Sequence, residues 1–432
     1  MDQNNKNRRS FLKSTGTAIV AGSVLPFGFN IREGFAAQKS TLKVGLIGCG
    51  GRGTGAAAQA LKADKDAELT CMGDIFEDYL EESYQSLKKM NAEQVKVDDE
   101  HKFVGFDAIQ RVLESDVDVV ILTTPPAFRP AHFKAAVEAG KHIFCEKPVA
   151  VDAPGVRSVL ESARLAKEKG LSVVSGFTFR YDFPKRALFE RIRNGEIGDI
   201  TNVFTARNGG GLWYKERQES WTEMEYQLRN WYYYNWLSGD YIVEMMVHSL
   251  DLMSWAFNDR LPIRVMGTGG RQARTEEKWG NIYDHFSVEY EYENNLKGVH
   301  FSRQMKGCSN TNKVDITGTE GFATVDVGKR VHATMGAERW DYDGPSNNPY
   351  ETQHEELFAS IRAGEGKNEG ELMANSTMLA IIGRMVGYSG QTMTWEEAMK
   401  SEVKLGPAAA DYRWDLVVDV PQVPIPGITK DV

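Results

Sequence analysis

The stretch Leu42-Lys43-Val44-Gly45-Leu46-Ile47-Gly48-Cys49-Gly50-Gly51-Arg52-Gly53 decides how this chain is read. Its first half, Leu42–Ile47, is an apolar run of strand length. Its second half places glycines at the first, third and sixth positions, and the Ala-rich segment 56–63 beyond it favours helix. Strand, glycine turn and helix in that order make a cradle for a dinucleotide. Gly48 permits the tight turn, Gly50 lets backbone approach a pyrophosphate, and Gly53 lets helix and strand pack closely. The helix N-terminus, from Gly51 and Arg52 onward, turns free N–H groups toward the phosphates.

Glycine turns are common, so the surroundings carry the reading. A second strand over 68–73 ends in Asp74, at the spacing of a ribose ligand. Asp74 reads either as that ligand or as a turn or helix cap. It is followed by Ile75 and Phe76, not by Arg or Lys, which favours NAD over NADP. The alternation then continues. A buried strand over 118–124 is broken by Pro125-Pro126, and a helix over 131–139 ends at Gly140. The strand His142–Cys145 ends in Glu146-Lys147-Pro148, and a helix over 154–169 precedes a strand over 171–177. Such alternation predicts an α/β fold with a doubly wound parallel sheet. Ligands lie at the carboxyl ends of such strands, so Thr124, Pro125, Glu146 and Lys147 join the candidate cofactor residues.

The chain has 432 residues, enough for two domains with their own cores. A net charge of -9 excludes nucleic acid as an expected partner, since phosphate neutralisation needs clustered Lys and Arg. Cys49, Cys71, Cys145 and Cys308 match neither a zinc pattern nor a disulfide framework and read as small buried hydrophobes; no metal site is expected. Residues 1–36 read as an export signal. Arg8-Arg9-Ser10-Phe11-Leu12-Lys13 precedes an apolar, small-residue stretch over 14–29 and the cleavage-like Gly34-Phe35-Ala36. The paired arginines resemble the twin-arginine subtype, which implies a periplasmic protein exported already folded. The apolar stretch is too short and too rich in Gly, Ser and Thr for a stable membrane anchor.

Four features in series resemble the glucose-fructose oxidoreductase, inositol dehydrogenase and rhizopine-catabolism (Gfo/Idh/MocA) family: the glycines at 48–53, Thr124-Pro125-Pro126, Glu146-Lys147-Pro148 and the segment 239–255. The resemblance covers roughly 41–400. It implies a Rossmann domain over 41–180 and a C-terminal α/β domain over 181–432, for substrate binding and oligomerisation, with a large, mostly antiparallel sheet. The alternating run 287–292, the turn pair Asn294-Asn295 and the strand candidates 297–303, 314–317 and 322–327 suit that sheet. The tail 420–428, with three prolines, is expected to be extended on the surface. The resemblance further implies a homodimer or homotetramer formed through the open sheet face.

Segment 241–257 is apolar except for Glu244, His248 and Asp251, which with Trp255 are spaced 4, 3 and 4 and share one face of a continuous helix. Such groups either satisfy one another as a structural network or face a polar cavity. In inositol dehydrogenase-like members of the family an Asp precedes the acid/base His by four residues. Glu244 stands in that place here, and His248 matches the His. Asp251 is a candidate for orienting the imidazole or for fixing the helix. Lys147 reads equally as a solvated sheet-end residue or, by the resemblance, as a donor to the reacting oxygen. The aromatic residues Trp213, Tyr214, Trp221, Trp231, Tyr232, Tyr233, Tyr234 and Trp236, crowded into 24 residues, serve either a sugar surface or a core or interface. Arg180, Tyr181 and His285 are further substrate candidates.

These residues point to an NAD(P)-dependent oxidoreductase acting on a sugar, polyol or glycoside hydroxyl. Export would separate it from any pool that recycles NAD, so a tightly held, self-recycling cofactor is expected. A glycosidase that cleaves by transient oxidation and elimination is one alternative, although the His-Gly-Leu-Gly element of the related NAD-dependent glycosidases is missing. A non-enzymatic sugar-binding protein that retains the fold is the other.

Overall fold

The structure, a computed structural model, describes residues 41–408, 411–430 and 432; the export signal expected in 1–36 lies outside them. Six strands, β1 (Leu42–Ile47), β2 (Ala67–Asp74), β3 (Lys102–Val104), β4 (Val119–Leu122), β5 (His142–Cys145) and β6 (Val173–Ser175), form a parallel sheet in the order β3-β2-β1-β4-β5-β6. This is the doubly wound arrangement, with the strand order reversing between β1 and β4. Every residue of β1 except Lys43 is buried, as a central strand covered on both faces requires.

A second sheet of nine strands takes up most of the remaining chain: β7 (Ile200–Gly209), β8 (Arg264–Gly270), β9 (His285–Glu291), β10 (Lys297–Gln304), β11 (Thr311–Gly318), β12 (Phe322–Asp326), β13 (Val331–Met335), β14 (Arg339–Asp341) and β15 (Met393–Thr394). Its order is β14-β13-β12-β11-β7-β10-β9-β8-β15, antiparallel throughout except where β10 runs parallel to β7. In β9 the residues alternate between half-buried and buried, and Phe286, Val288 and Tyr290 point inward. Asn294 and Asn295, at φ 59° and 58°, both take the left-handed conformation of a tight hairpin turn into β10.

The helix Gly370–Ser389 is apolar around nearly its whole circumference and is buried to match. It packs between β8 and the helix Ala153–Glu168, so it joins the two sheets. Arg384, inside it, donates to the Val151 carbonyl at 2.6 Å. The helix Pro349–Ala363 returns to the first sheet and packs on the helix Gly51–Ala63, helped by the ion pairs Lys62–Glu351 and Arg362–Asp64 at 2.7 and 2.8 Å. Residues between β14 and β15 of the second sheet thus complete the first layer.

Two sequence expectations change. Cys49, Cys71 and Cys145 are buried, but Cys308 is exposed. The aromatic run resolves largely into core: Tyr232, Tyr233, Tyr234 and Trp236 are buried, and only Trp213 is well exposed. The tail 420–428 is mostly exposed and carries no helix or strand, as its prolines predict. No helix among the described residues is long and apolar enough to cross a membrane.

His300 and His354 are fully buried, and burial pushes both imidazoles down to about 3. The unfolded chain protonates them near pH ~6.5. Their contribution to stability is therefore complete above that pH and is lost as pH falls toward the folded values. Each should cost about 1.4 kcal/mol per pH unit below pH ~6. Denaturant unfolding at pH 7, 6 and 5 should show this fall, and it should be shallower in the His300→Gln/His354→Gln double variant. Equal slopes in the two proteins would contradict the assignment.

Candidate active site

The glycine turn has the geometry its sequence calls for. Gly48 sits at φ +94°, where a side chain would be strained, and its N–H donates to the Gly73 carbonyl at 2.9 Å. A Cβ on Gly53 would stand 1.8 Å from the Gly48 carbonyl oxygen, so only glycine allows this helix to lie so close to its strand. A Cβ on Gly50 or Gly51 would meet nothing within 4 Å, which leaves open the side from which a phosphate would approach. No side chain caps the helix Gly51–Ala63, so its first N–H groups keep their anion-binding character.

Asp74 closes this end of the site. Its carboxylate accepts from the N–H groups of Cys49 and Phe76 at 2.5 and 2.8 Å, and burial raises its pKa. The cap and the ligand readings of Asp74 are therefore compatible, since each carboxylate oxygen has a second lone pair. Gly48, Gly50, Asp74, Thr124, Pro125 and Trp231 all line one cavity of about 720 Å³ at the carboxyl ends of the strands. Within it the Thr124 hydroxyl lies 3.1 Å from His132 Nδ1, and burial lowers that imidazole to about 4, so the ring is neutral. Its size and lining, with the uncapped helix start and the open side of Gly50, fit a dinucleotide's adenosine and phosphates. Arg52 and Glu146 are not on this lining. Arg52 Nε donates to Glu146 Oε1 at 2.7 Å, and each holds the other at the edge of the turn.

Lys147, at the end of β5, reaches across to the second layer. Its ammonium donates to the Glu244 backbone carbonyl at 2.6 Å and to Glu244 Oε1 at 3.0 Å. The two side chains are only 11% and 17% exposed, so this is a nearly buried ion pair and not a solvated sheet edge. An ammonium has three donors, and one of these remains for a substrate oxygen.

The continuous helix expected over 241–257 is interrupted. It forms as Tyr241–Glu244 and Val247–Ala256, with a break at Met245 and Met246. Side chains from elsewhere take the carbonyls at the break: Lys147 holds that of Glu244, and Arg207 Nη1 donates to that of Met245 at 2.9 Å. Glu244 therefore ends one helical piece, while His248, Asp251 and Trp255 stay together on the unbroken helix Val247–Ala256. Asp251 is buried against Arg180, whose Nε lies 3.0 Å from both carboxylate oxygens, and against Ser376 at 2.8 Å. Arg180 also binds Asp259, so Arg180 and Asp251 satisfy each other as a structural network. Trp255 stacks on Phe189 at 4.1 Å. Of the two readings of Asp251, these contacts favour the one in which it fixes the helix, and they engage Arg180 in the same network and not in the pocket. Tyr181 is likewise buried, with its hydroxyl on Glu369 at 2.5 Å. His285 is held by Asp284 at 2.8 Å, and no hydrogen bond or ion pair joins it to Lys147, Glu244 or His248.

His248 remains with Lys147 and Glu244. Its ring lies against Phe177 and Phe179, at centroid distances of 6.1 and 5.2 Å, and its buried Nδ1 has no partner among the described residues. A self-satisfied Glu–His–Asp network is thereby ruled out. Burial, then the charges of Lys147, Arg207 and Arg52, hold the imidazole well below its ordinary pKa, so it is neutral at neutral pH. Sequence reasoning missed Arg207, which has no motif around it in β7. It also missed the segment Leu405–Ala408 and Tyr412, which form part of the cavity wall. Two aromatic residues, Tyr412 and Trp414, in a polar tail were the available signal.

Two family models match this chain. One, described as an oxidoreductase family with an NAD-binding Rossmann fold, matches 42–177, and its C-terminal domain model matches 186–324. Together they span well over half of the chain. An inositol 2-dehydrogenase of Rhizobium meliloti is 22% identical over 320 residues, 74% of this chain and 86% of that protein. One from Serratia proteamaculans is 27% identical over 222 residues, 51% of this chain and 55% of the relative, and an uncharacterized oxidoreductase of Streptococcus pneumoniae is 28% identical over 42% of this chain and 45% of its own length. The chain thus spans about half the length of these last two relatives. Among solved structures, an aldose-aldose oxidoreductase from Caulobacter crescentus superposes with a TM-score of 0.66 at 16% identity, covering 82% of this chain and 99% of that one. A scyllo-inositol dehydrogenase from Lactobacillus casei, with bound NAD(H) and scyllo-inositol, gives 0.62 at 19% identity over 82% and 99% of the two chains. At these identities the structural likeness speaks for the fold.

The glycines separate binding from folding. Gly50→Ala has room and an ordinary φ of -67°, so its melting temperature should stay within a degree or two of wild type while NAD affinity falls about tenfold or more. Gly53→Ala should destabilise by at least ~1–3 kcal/mol, because the clash is with backbone. Thermal melts and NAD titrations of both variants check the contrast; the opposite pattern would contradict these roles.

Proposed function

Because the chain belongs to the Gfo/Idh/MocA family of NAD-binding oxidoreductases, we propose that it oxidises a hydroxyl of a sugar, polyol or glycoside with a tightly held NAD. The observation that carries this is the meeting of Lys147, Glu244 and a neutral His248 at the carboxyl end of the parallel sheet. The dinucleotide, when bound, supplies acceptance and return of a hydride. The chain's own residues handle the oxygen and the proton. Glu244 fixes Lys147 through two contacts, and the remaining ammonium donor points charge at the substrate oxygen, where negative charge develops. His248, held neutral by its surroundings, accepts the hydroxyl proton and gives it back in the reverse direction. Phe177 and Phe179 keep the ring in place.

NAD is favoured over NADP because Asp74 would repel a 2′-phosphate, and Ile75 and Phe76 offer it no cation. The proposal includes export from the twin-arginine motif at Arg8-Arg9. A cofactor that cannot exchange with a cytoplasmic pool must be returned to its starting state within the catalytic cycle. Pairing of copies through the outer face of the second sheet belongs to the same reading, since Met266, Phe301 and Phe322 stand exposed on β8, β10 and β12.

Lys147→Ala and His248→Ala should each lower turnover by ~10²–10⁴ while NAD stays bound. The purified protein, denatured, should release NAD(H) into the ultraviolet spectrum. With sugars and glycosides but no added NAD it should form a keto-sugar; aglycone release would turn the reading to redox-assisted glycoside cleavage. Wild-type rates in both variants would sink the assignment.

A further inference from the structure

The family match ends at 324, yet the cavity beside the glycine turn has a wall from far beyond it. Its lining includes Gly48, Gly50, Asp74 and Phe76 from the first sheet and Leu405, Gly406 and Tyr412 from the tail. The tail segment is built in, not draped. Tyr412 packs on Phe128 at 4.9 Å and lies parallel to Phe106 and Trp236 at 6.0 and 6.2 Å. Trp414 packs on Phe106 at 4.9 Å and on Phe76 at 5.6 Å. Phe76 and Phe106 follow the ends of β2 and β3 and line the same cavity.

Both ends of the segment are fastened. Before it, Arg157 Nη1 donates to the carbonyls of Met399 and Ser401 at 2.6 and 2.8 Å, and the Leu405 N–H donates to Asp152 Oδ2 at 2.9 Å. After it, Gln227 Nε2 donates to the Val418 carbonyl at 2.9 Å. Gly406 takes φ +92° and turns the chain so close to Trp236 that a Cβ there would stand 2.7 Å from the indole.

We propose that residues 404–408 and 411–414 are part of the dinucleotide site and retain the cofactor, so that exchange of NAD requires this strap to detach. The inference rests on reading the cavity as the dinucleotide site. It gives a tightly held cofactor a physical cause: the strap covers the adenosine end, where Asp74 stands, with an aromatic cluster whose loss on opening would slow release.

The full-length protein, loaded with NADH and mixed with excess NAD, reports release through the fall in NADH fluorescence. Tyr412→Ala should release NADH about tenfold faster or more, and Tyr412→Phe, which keeps the ring, should release it at close to the wild-type rate. Because Tyr412→Ala could weaken the fold, hydrogen exchange on the wild-type protein supplies a second measurement: amides over 404–408 and 411–418 should exchange more slowly with NAD than without. If wild-type protein binds NAD, but Tyr412→Ala releases NADH no faster and NAD gives the wild-type amides no protection, the strap alone is overturned. Wild-type protein with no NAD affinity would overturn the dinucleotide reading, and the strap with it.

Discussion

The ammonium of Lys147 ties the two layers together at the one point where chemistry is available. It leaves the end of β5 and ends on both the backbone and the side chain of Glu244 in the second layer. Burying such a pair is costly, and removing either partner would leave a desolvated charge. The contact also does more than neutralise charge. By taking the Glu244 carbonyl it helps to interrupt a helix that would otherwise run on to Phe257, and Arg207 does the same one residue later. The break falls just before His248, whose ring lies against Phe177 and Phe179. Two cations from distant parts of the chain thus take the carbonyls just ahead of the imidazole.

Those cations also decide what the imidazole can do. Burial alone disfavours its charged form, and Lys147, Arg207 and Arg52 add repulsion. A neutral ring near a fixed ammonium suits a hydroxyl substrate: the ammonium stabilises negative charge on oxygen, and the ring takes the proton. On the proposed reading, the low basicity that this environment imposes is balanced by the acidity it lends to the bound hydroxyl. Both shifts come from the same charges.

Local signals made the first layer legible. The roles of Gly48 and Gly53 follow from turn geometry within a dozen residues, and each βα unit carries its own apolar run and stop. The hairpin at Asn294-Asn295 was legible for the same reason. Lys147, Glu244 and His248 were found through the order of short motifs. A pocket role for Arg180 and an orienting role for Asp251 were not separable in sequence from what the structure has, an ion pair between two residues 71 apart in the chain. No periodicity reports such a partner. The strap, residues 404–408 and 411–414, escaped for a related reason: a strap has no repeat of its own, and its meaning lies in what it covers.

The strap is coupled to the fold through one carboxylate. Asp152 caps the helix Ala153–Glu168 by accepting from the Gly155 N–H at 2.8 Å, and its other oxygen accepts from the Leu405 N–H at 2.9 Å. That helix is the one on which Gly370–Ser389 docks to join the sheets. A detached strap therefore leaves an N-cap with one acceptor returned to solvent but the cap itself intact, since the two contacts use different oxygens. Opening the strap costs aromatic packing and a few hydrogen bonds without unwinding the helix beneath it. A cover built this way can be firm enough to hold a ligand and still separable from the stability of the layers it closes.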